Sequence, residues 1–417
     1  MESSTCTCHI VAVPYPGRGH VNPMMNLCKL LCSKIPTILI TFVVTEEWLS
    51  FIASDSKPLN VRFRTIPNVI PSEFVRANDF PAFLAAVLTK MEAPFGELLD
   101  RLEVELPVTA IIADTYVPWT LQAGQRRNIP VASLWTMSAS ILSIFHHFNL
   151  FVDNHHFPAD LSDLPSILWG NSRQVLNLVL DCISTMPKAQ YLLFTSVYEL
   201  EPQVIDALNE RLPFPVYAIG PSVPYLDLKE HSSTTTSLNG HDYLQWLDLQ
   251  PKGSVVYVSM GSFLSVSAAQ MDEIVAGVQD SGVRYLWVSR GDTSRFKDGC
   301  GDRGLVIPWC DQLRVLCHSS VGDFGLIPPN SKQMIEDWKI GWRVKKNKVG
   351  EGEHLVRRDE IAELVRNFMD YENNEQREMR KRAAKLGETC RRAIAKGGSS
   401  DINIDAFVKD ILERRAR

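Results

Sequence analysis

Two residues in this chain have types and settings suited to proton transfer: a histidine closing a glycine-rich turn and an aspartate closing a buried run. Pro14-Tyr-Pro-Gly17-Arg-Gly19-His20-Val-Asn-Pro follows the apolar stretch His9–Pro14. This puts His20 in the loop beyond a strand's carboxyl end, at the mouth of the next helix. Ligands of open α/β sheets bind on that edge, and glycines let the backbone turn sharply and approach a ligand closely. Asp114 ends the run Thr109-Ala-Ile-Ile-Ala-Asp and should lie on the same edge. A carboxylate beside an imidazole fixes its tautomer and stabilises the imidazolium, so the pair could take a proton from an acceptor hydroxyl. Each residue alone has a plainer reading: a loop histidine is ordinarily just solvated, and an aspartate after a buried strand is ordinarily a helix cap.

Short β-rich runs alternate with helical stretches, the pattern of an α/β protein with parallel sheets. His9–Pro14, Ile38–Val44, Val61–Ile66, Val108–Ala113 and Val131–Leu134 read as strands, with helices over Asn22–Ser33 and Phe80–Leu102. Asn22 suits an N-cap and Pro23 a first helical position. A second set follows: strands at Ser254–Ser259, Tyr285–Ser289 and Leu305–Ile307, and helices at Ala268–Gln279, Asp359–Asp370, Gln376–Ala395 and Ala406–Arg414. The polar stretch 228–240 reads as a linker. It divides the chain into an N-terminal domain over 1–227 and a C-terminal domain over 241–417.

At 417 residues, the chain is long enough for two domains. Its 45% hydrophobic and 22% charged residues fit a globular protein, and its net charge of -5 argues against a nucleic-acid binder. No apolar run reaches the ~18 residues of a membrane span. The start, Met1-Glu-Ser-Ser-Thr-Cys, lacks the pattern of a signal peptide. The nine cysteines are scattered without Cys-x-x-Cys pairs, so free thiols in a reducing, cytoplasmic setting are expected. The first turn is not Gly-x-Gly-x-x-Gly, and no acidic ribose-binding residue follows ~20 positions on, which excludes a nicotinamide-dependent oxidoreductase.

Taken in order along nearly the whole chain, the motifs resemble the plant family 1 UDP-glycosyltransferases. They are the Pro-x-Pro-Gly-Arg-Gly-His20 start, Asp114, Trp135-Thr136, Phe194-Thr-Ser-Val-Tyr-Glu-Leu-Glu201, Tyr257-Val-Ser-Met-Gly261-Ser262 and Gly397-Gly-Ser-Ser-Asp-Ile-Asn403. Between them lies Trp309-Cys310-Asp-Gln312-Leu-Arg-Val-Leu-Cys-His318, running on to Gly322-Asp-Phe324, which resembles the front half of that family's donor-binding box.

The resemblance implies a GT-B fold of two Rossmann-like domains facing a central cleft, with the last helix returning to the N-terminal domain. It implies transfer of a sugar, expected to be glucose, from a UDP-sugar to a hydroxyl of a small plant metabolite such as a flavonoid, terpenoid or hormone, with inversion. His20 matches the general base and Asp114 its partner. Trp309 matches the residue that stacks on uracil, Cys310 would offer backbone hydrogen bonds to it, and Gln312 would reach the ribose. Gly261 and Ser262 match a diphosphate contact, and Thr136 a contact to sugar or phosphate. His318, in an apolar setting, is expected to be structural. No metal or other cofactor is expected, because helix N-termini and side chains neutralise the diphosphate. The protein is expected to be a monomer.

The chain departs from the family in two gaps, and at Asp323, which stands where the family usually has a glycine. After Phe324 comes Gly-Leu-Ile-Pro-Pro-Asn330, where the family box continues with phosphate-, ribose- and sugar-binding residues; one αβ unit of the C-terminal domain is expected to be missing. A second shortening falls near Asp160-Leu-Ser-Asp163, in the region that shapes the acceptor pocket. An alternative therefore stands: a relative that binds such metabolites without turnover, or the product of a misjoined or decayed gene.

Overall fold

The computed structural model describes residues 8–76, 78–154, 173–224, 243–259, 267–289, 296, 301–325, 333–342 and 355–415. The chain separates into two compact units, one formed by Met1–Glu230 with Leu386–Arg417, the other by His231–Lys385. The expected linker, both expected gaps beyond Gly325 and near residue 162, and Gly261 and Ser262 fall outside the described residues.

The first unit is built on seven strands: β1 (Cys8–Val13), β2 (Ile38–Thr45), β3 (Val61–Ile66), β4 (Ala110–Asp114), β5 (Val131–Trp135), β6 (Tyr191–Phe194) and β7 (Val216–Ala218). They form one sheet in the order β3-β2-β1-β4-β5-β6-β7, every pair parallel. The strand order reverses between β1 and β4, so the crevice of a doubly wound sheet opens at the carboxyl ends of these two neighbours. Alternate residues of β1 feed opposite cores. Val11 and Val13 join Phe83, Phe95, Trp119 and Trp135 on one face, while Cys8, Ile10 and Ala12 join Met24, Leu31 and Phe42 on the other. The helix Ser399–Arg415 covers the second face with Ile404, Phe407 and Ile411. The Gly397–Asn403 motif fastens it there: Ser400 donates to the carbonyl of Gly220, Asn403 to that of Ala218 at 2.9 Å, and Asp401 pairs with Lys34 at 2.7 Å.

Three readings of the sequence are corrected. The helix expected to open at Asn22 begins at Arg18, with Gly17 as its cap residue and Pro23 inside it. The carbonyl of Gly17 receives the amides of His20 and Val21, both at 2.9 Å, so the turn closes early. Pro23 then removes only the bond that would reach back to Gly19. The helix expected over Phe80–Leu102 is two, Phe80–Lys90 and Glu92–Glu105, because Pro94 suits only a first turn. Strands β6 and β7 were not expected. At four and three residues they are too short to show a period.

The second unit holds β8 (Val255–Ser259), β9 (Arg284–Val288), β10 (Gly304–Ile307) and β11 (Val321–Gly325) in the parallel order β10-β9-β8-β11. Val255 and Tyr257 face a core with Leu286, Ile307 and Val315, and Val256 and Val258 face the other with Val275, Trp287 and Ile361. Strand β11 was not expected either, since its Val-Gly-Asp-Phe-Gly carries two glycines. Its register slips between Val321 and Asp323. At Gly322 a Cβ would collide with the Tyr371 hydroxyl and the Gly253 carbonyl, so glycine is required by close approach.

His9, at the amino end of β1, is 1% exposed. Its Nδ1 lies 2.9 Å from the Leu106 carbonyl and its Nε2 2.8 Å from Thr41 Oγ1. Burial, followed by the nearby Arg62 charge, lowers its pKa from 6.5 against the opposing pull of the Leu106 carbonyl. A histidine held neutral in the fold but protonated when unfolded stabilises the protein fully above pH 6.5. That stability fades as pH falls from 6.5 towards the lowered folded value. We predict that the drop in Tm between pH 7.5 and 5.5 is smaller in His9→Gln than in the parent; equal drops would remove His9 from the account.

Candidate functional site

His20 sits one turn into the helix that follows β1, and Asp114 is the last residue of β4. The register Val13↔Ala113 brings the two strand ends side by side. His20 Nδ1 lies 2.7 Å from Asp114 Oδ2, with the histidine side chain 21% exposed and the carboxylate 1% exposed. The other carboxylate oxygen accepts the backbone N–H of Tyr116 at 2.9 Å. Asp114 is acceptor-only when ionised, so the hydrogen between the pair belongs on Nδ1. This leaves the Nε2 lone pair bare, and among the described residues Nε2 has no partner. The ring is wedged between Tyr15, at 4.9 Å between centroids, and the edge of Tyr116, at 5.8 Å.

Further groups hold this loop. Arg76, 8% exposed, donates to the Pro16 carbonyl at 3.3 Å and pairs with Glu73 at 2.9 Å. Thr136 follows β5, and its Oγ1 lies 3.2 Å from His20 Nδ1. The segment around Thr136 is fixed from both sides. The Trp135 carbonyl accepts Thr195 N at 3.1 Å, and Ser138 caps the helix Ala139–His146. Buried Glu201 then takes the amides of Ala139 at 3.0 Å and Ser140 at 2.9 Å, and the Ser196 hydroxyl at 2.6 Å. The Phe194–Glu201 motif thus acts as a brace for Trp135-Thr136. Glu201→Gln places an amide N–H against donors and removes a negative charge from a helix N-terminus. A loss of roughly 1.5–3 kcal/mol is expected. It would be measured as a lower Tm; an unchanged Tm would contradict the brace.

In the second unit, Trp309 to Gln312 follow β10 at the carboxyl edge of its sheet. Trp309 is 62% exposed, unusual for an indole. Cys310 turns inward, its Sγ 3.8 Å from the Tyr257 hydroxyl, and burial pushes its thiol up to about 11. Its side chain therefore belongs to the core. Asp311 caps the helix Gln312–Leu316 by accepting Arg314 N at 3.2 Å, and Gln312 is exposed at the head of that helix. His318 bridges Ser320 at 2.8 Å and Asp248 at 3.1 Å, tying a turn to the helix Tyr243–Asp248. Among the described residues, no group of three or more His, Cys, Asp or Glu is placed to hold a metal ion, and no helix is long and apolar enough to cross a membrane.

Tyr15, Tyr116 and Arg76 were not among the residues expected at the site, and Glu201 was expected only as the end of a family motif, with no role given to it. The two tyrosines were within reach of a sequence reading, lying inside the Pro14–Gly17 turn and two residues past Asp114. Arg76 carries no local signal, and the motif that ends in Glu201 does not reveal that its carboxylate takes the amides of Ala139 and Ser140.

No protein-family model matches the chain. It is 48% identical over 447 residues to UDP-glycosyltransferase 87A1 of Arabidopsis thaliana, covering 96% of this chain and 100% of that protein. That span exceeds the 417 residues present here, so the relative has residues with no counterpart in this chain. Among solved structures, Os79 from O. sativa in complex with U2F and trichothecene superposes with a TM-score of 0.83 at 22% identity, covering 96% of this chain and 100% of its own. Medicago truncatula UGT71G1 complexed with UDP-glucose gives 0.80 at 21%, covering 97% and 98%. The fold is therefore GT-B.

Proposed function

This chain belongs to the plant UDP-glycosyltransferase family, and we propose that it transfers glucose from UDP-glucose to a hydroxyl of a small plant metabolite, with inversion. The observation that carries the proposal is the bare Nε2 of His20, backed at Nδ1 by a carboxylate 2.7 Å away. Nε2 takes the acceptor's hydroxyl proton as its oxygen attacks the anomeric carbon. The bond from that carbon to the UDP oxygen breaks, and UDP leaves with the electron pair. Asp114 stabilises the imidazolium formed in this step.

On the donor side, the exposed Trp309 indole stacks on uracil, the Cys310 backbone hydrogen-bonds to it, and Gln312 reaches the ribose. Gly261 and Ser262 meet the diphosphate, and Thr136 meets the sugar or a phosphate. No metal takes part, and the protein works as a monomer in the cytoplasm. The acceptor is a flavonoid, terpenoid or hormone.

The shortened box weakens donor binding. Each charge-assisted hydrogen bond that the missing residues would have made is worth roughly 1.5–3 kcal/mol, about ten- to a hundredfold in affinity. Calorimetric titration of UDP into the full chain is expected to give a Kd near the millimolar range. A folded protein that takes up no UDP would favour the second reading, a metabolite binder without turnover. The relative's residues that this chain lacks are shared by both readings, and the titration separates them.

A further inference from the structure

His20 Nδ1 carries one hydrogen and faces two oxygens, Asp114 Oδ2 at 2.7 Å and Thr136 Oγ1 at 3.2 Å. The shorter contact, to a carboxylate 1% exposed, fixes which nitrogen is protonated. Tyr15 and Tyr116 flank the ring at 4.9 and 5.8 Å between centroids, and the contacts at Nδ1 set where that nitrogen points. The longer contact comes from just beyond a different strand, β5, and sets a second oxygen at the same nitrogen. The Thr136 hydroxyl cannot donate to a nitrogen that already carries hydrogen, so its oxygen accepts there and its own proton points elsewhere. Among the described residues that proton has no other acceptor. Thr136 is not loosely placed either, since its strand end is bonded to Thr195 and the helix beyond it is capped by Ser138 and Glu201.

We propose that Thr136 is a positioning residue for His20: its oxygen shares the Nδ1–H with Asp114, and its hydroxyl proton is given to an oxygen of the bound substrate. Substrate contact and base orientation then run through one hydroxyl. The inference rests on His20 acting as the base, and it differs from a role confined to holding sugar.

The test uses the full chain labelled with 15N at histidine, as parent, Thr136→Val and Thr136→Ser. Valine keeps the shape and removes the hydroxyl; serine keeps the hydroxyl. In Thr136→Val the His20 Nδ1–H is expected to exchange with water about tenfold faster, the loss of one neutral hydrogen bond, with kcat falling by a similar factor. Thr136→Ser is expected to restore both. A Thr136→Val protein with the parent resonance and kcat and only a raised donor KM would overturn the proposal, as would a serine variant that behaves like valine. Should the parent show no transfer with any acceptor, the proposed function fails, while the resonance comparison still decides the positioning role.

Discussion

His20→Ala is expected to lower acceptor-dependent UDP formation by about 10²–10⁴, the range a positioned general base contributes, with donor KM unchanged. The expectation follows from geometry: the ring's Nδ1 is committed to Asp114, and Nε2 has no partner among the described residues. The loss should depend on the acceptor. An aliphatic alcohol holds its proton tightly and needs the base most. A strongly acidic phenol is already partly ionised and should lose least. Side-by-side rates with an alcohol and an acidic phenol would check this; a variant that keeps parent turnover on the alcohol would remove His20 from its role.

The second large effect is at Asp114. Asp114→Asn preserves shape but not hydrogen-bond polarity. The Tyr116 N–H, at 2.9 Å, still needs an oxygen, so the asparagine carbonyl is expected to stay there and its NH₂ to face His20 Nδ1. That nitrogen must then be unprotonated, which moves the hydrogen to Nε2 and blocks the base. A fall of about 10²–10⁴ in turnover is expected, comparable to His20→Ala, and the double variant should lose little more than either alone, as residues acting as one unit do. Fully multiplicative losses in the double variant would mean that the two residues act separately.

Much of this was legible in the sequence, for identifiable reasons. The long strands read as apolar runs and the charged helices carry a period; His20 closes the glycine-rich turn after one such run and Asp114 ends another, which puts both on the ligand-binding edge. Their contact was less legible, because it depends on β1 and β4 being neighbours across 94 positions of sequence, and strand order leaves no local trace. Strands of three or four residues, such as β6 and β7, are below the length at which alternation can be read. Local rules also misled where tertiary contacts win: Asn22-Pro23 has the look of a helix start, yet the Gly17 carbonyl closes the turn four residues earlier. Thr136 shows the same limit. Its family position raised the expectation of a contact to sugar or phosphate, while its place beside Nδ1 follows from β5 lying next to β4. On the donor side, Trp309 and Gln312 are exposed at the expected sheet edge, whereas Gly261 and Ser262 lie outside the described residues.

The central claim is that this chain moves a sugar from a UDP carrier to a small hydroxylated acceptor. The most direct measurement is UDP formation by the purified full chain with UDP-glucose, with and without phenolic, terpenoid and hormone-like acceptors, and with each product identified by mass. The expected result is UDP formed only when an acceptor is present, matched by a glucosylated product, and saturating only at UDP-glucose near the millimolar range. A folded chain that forms no product with any acceptor at saturating donor would contradict it.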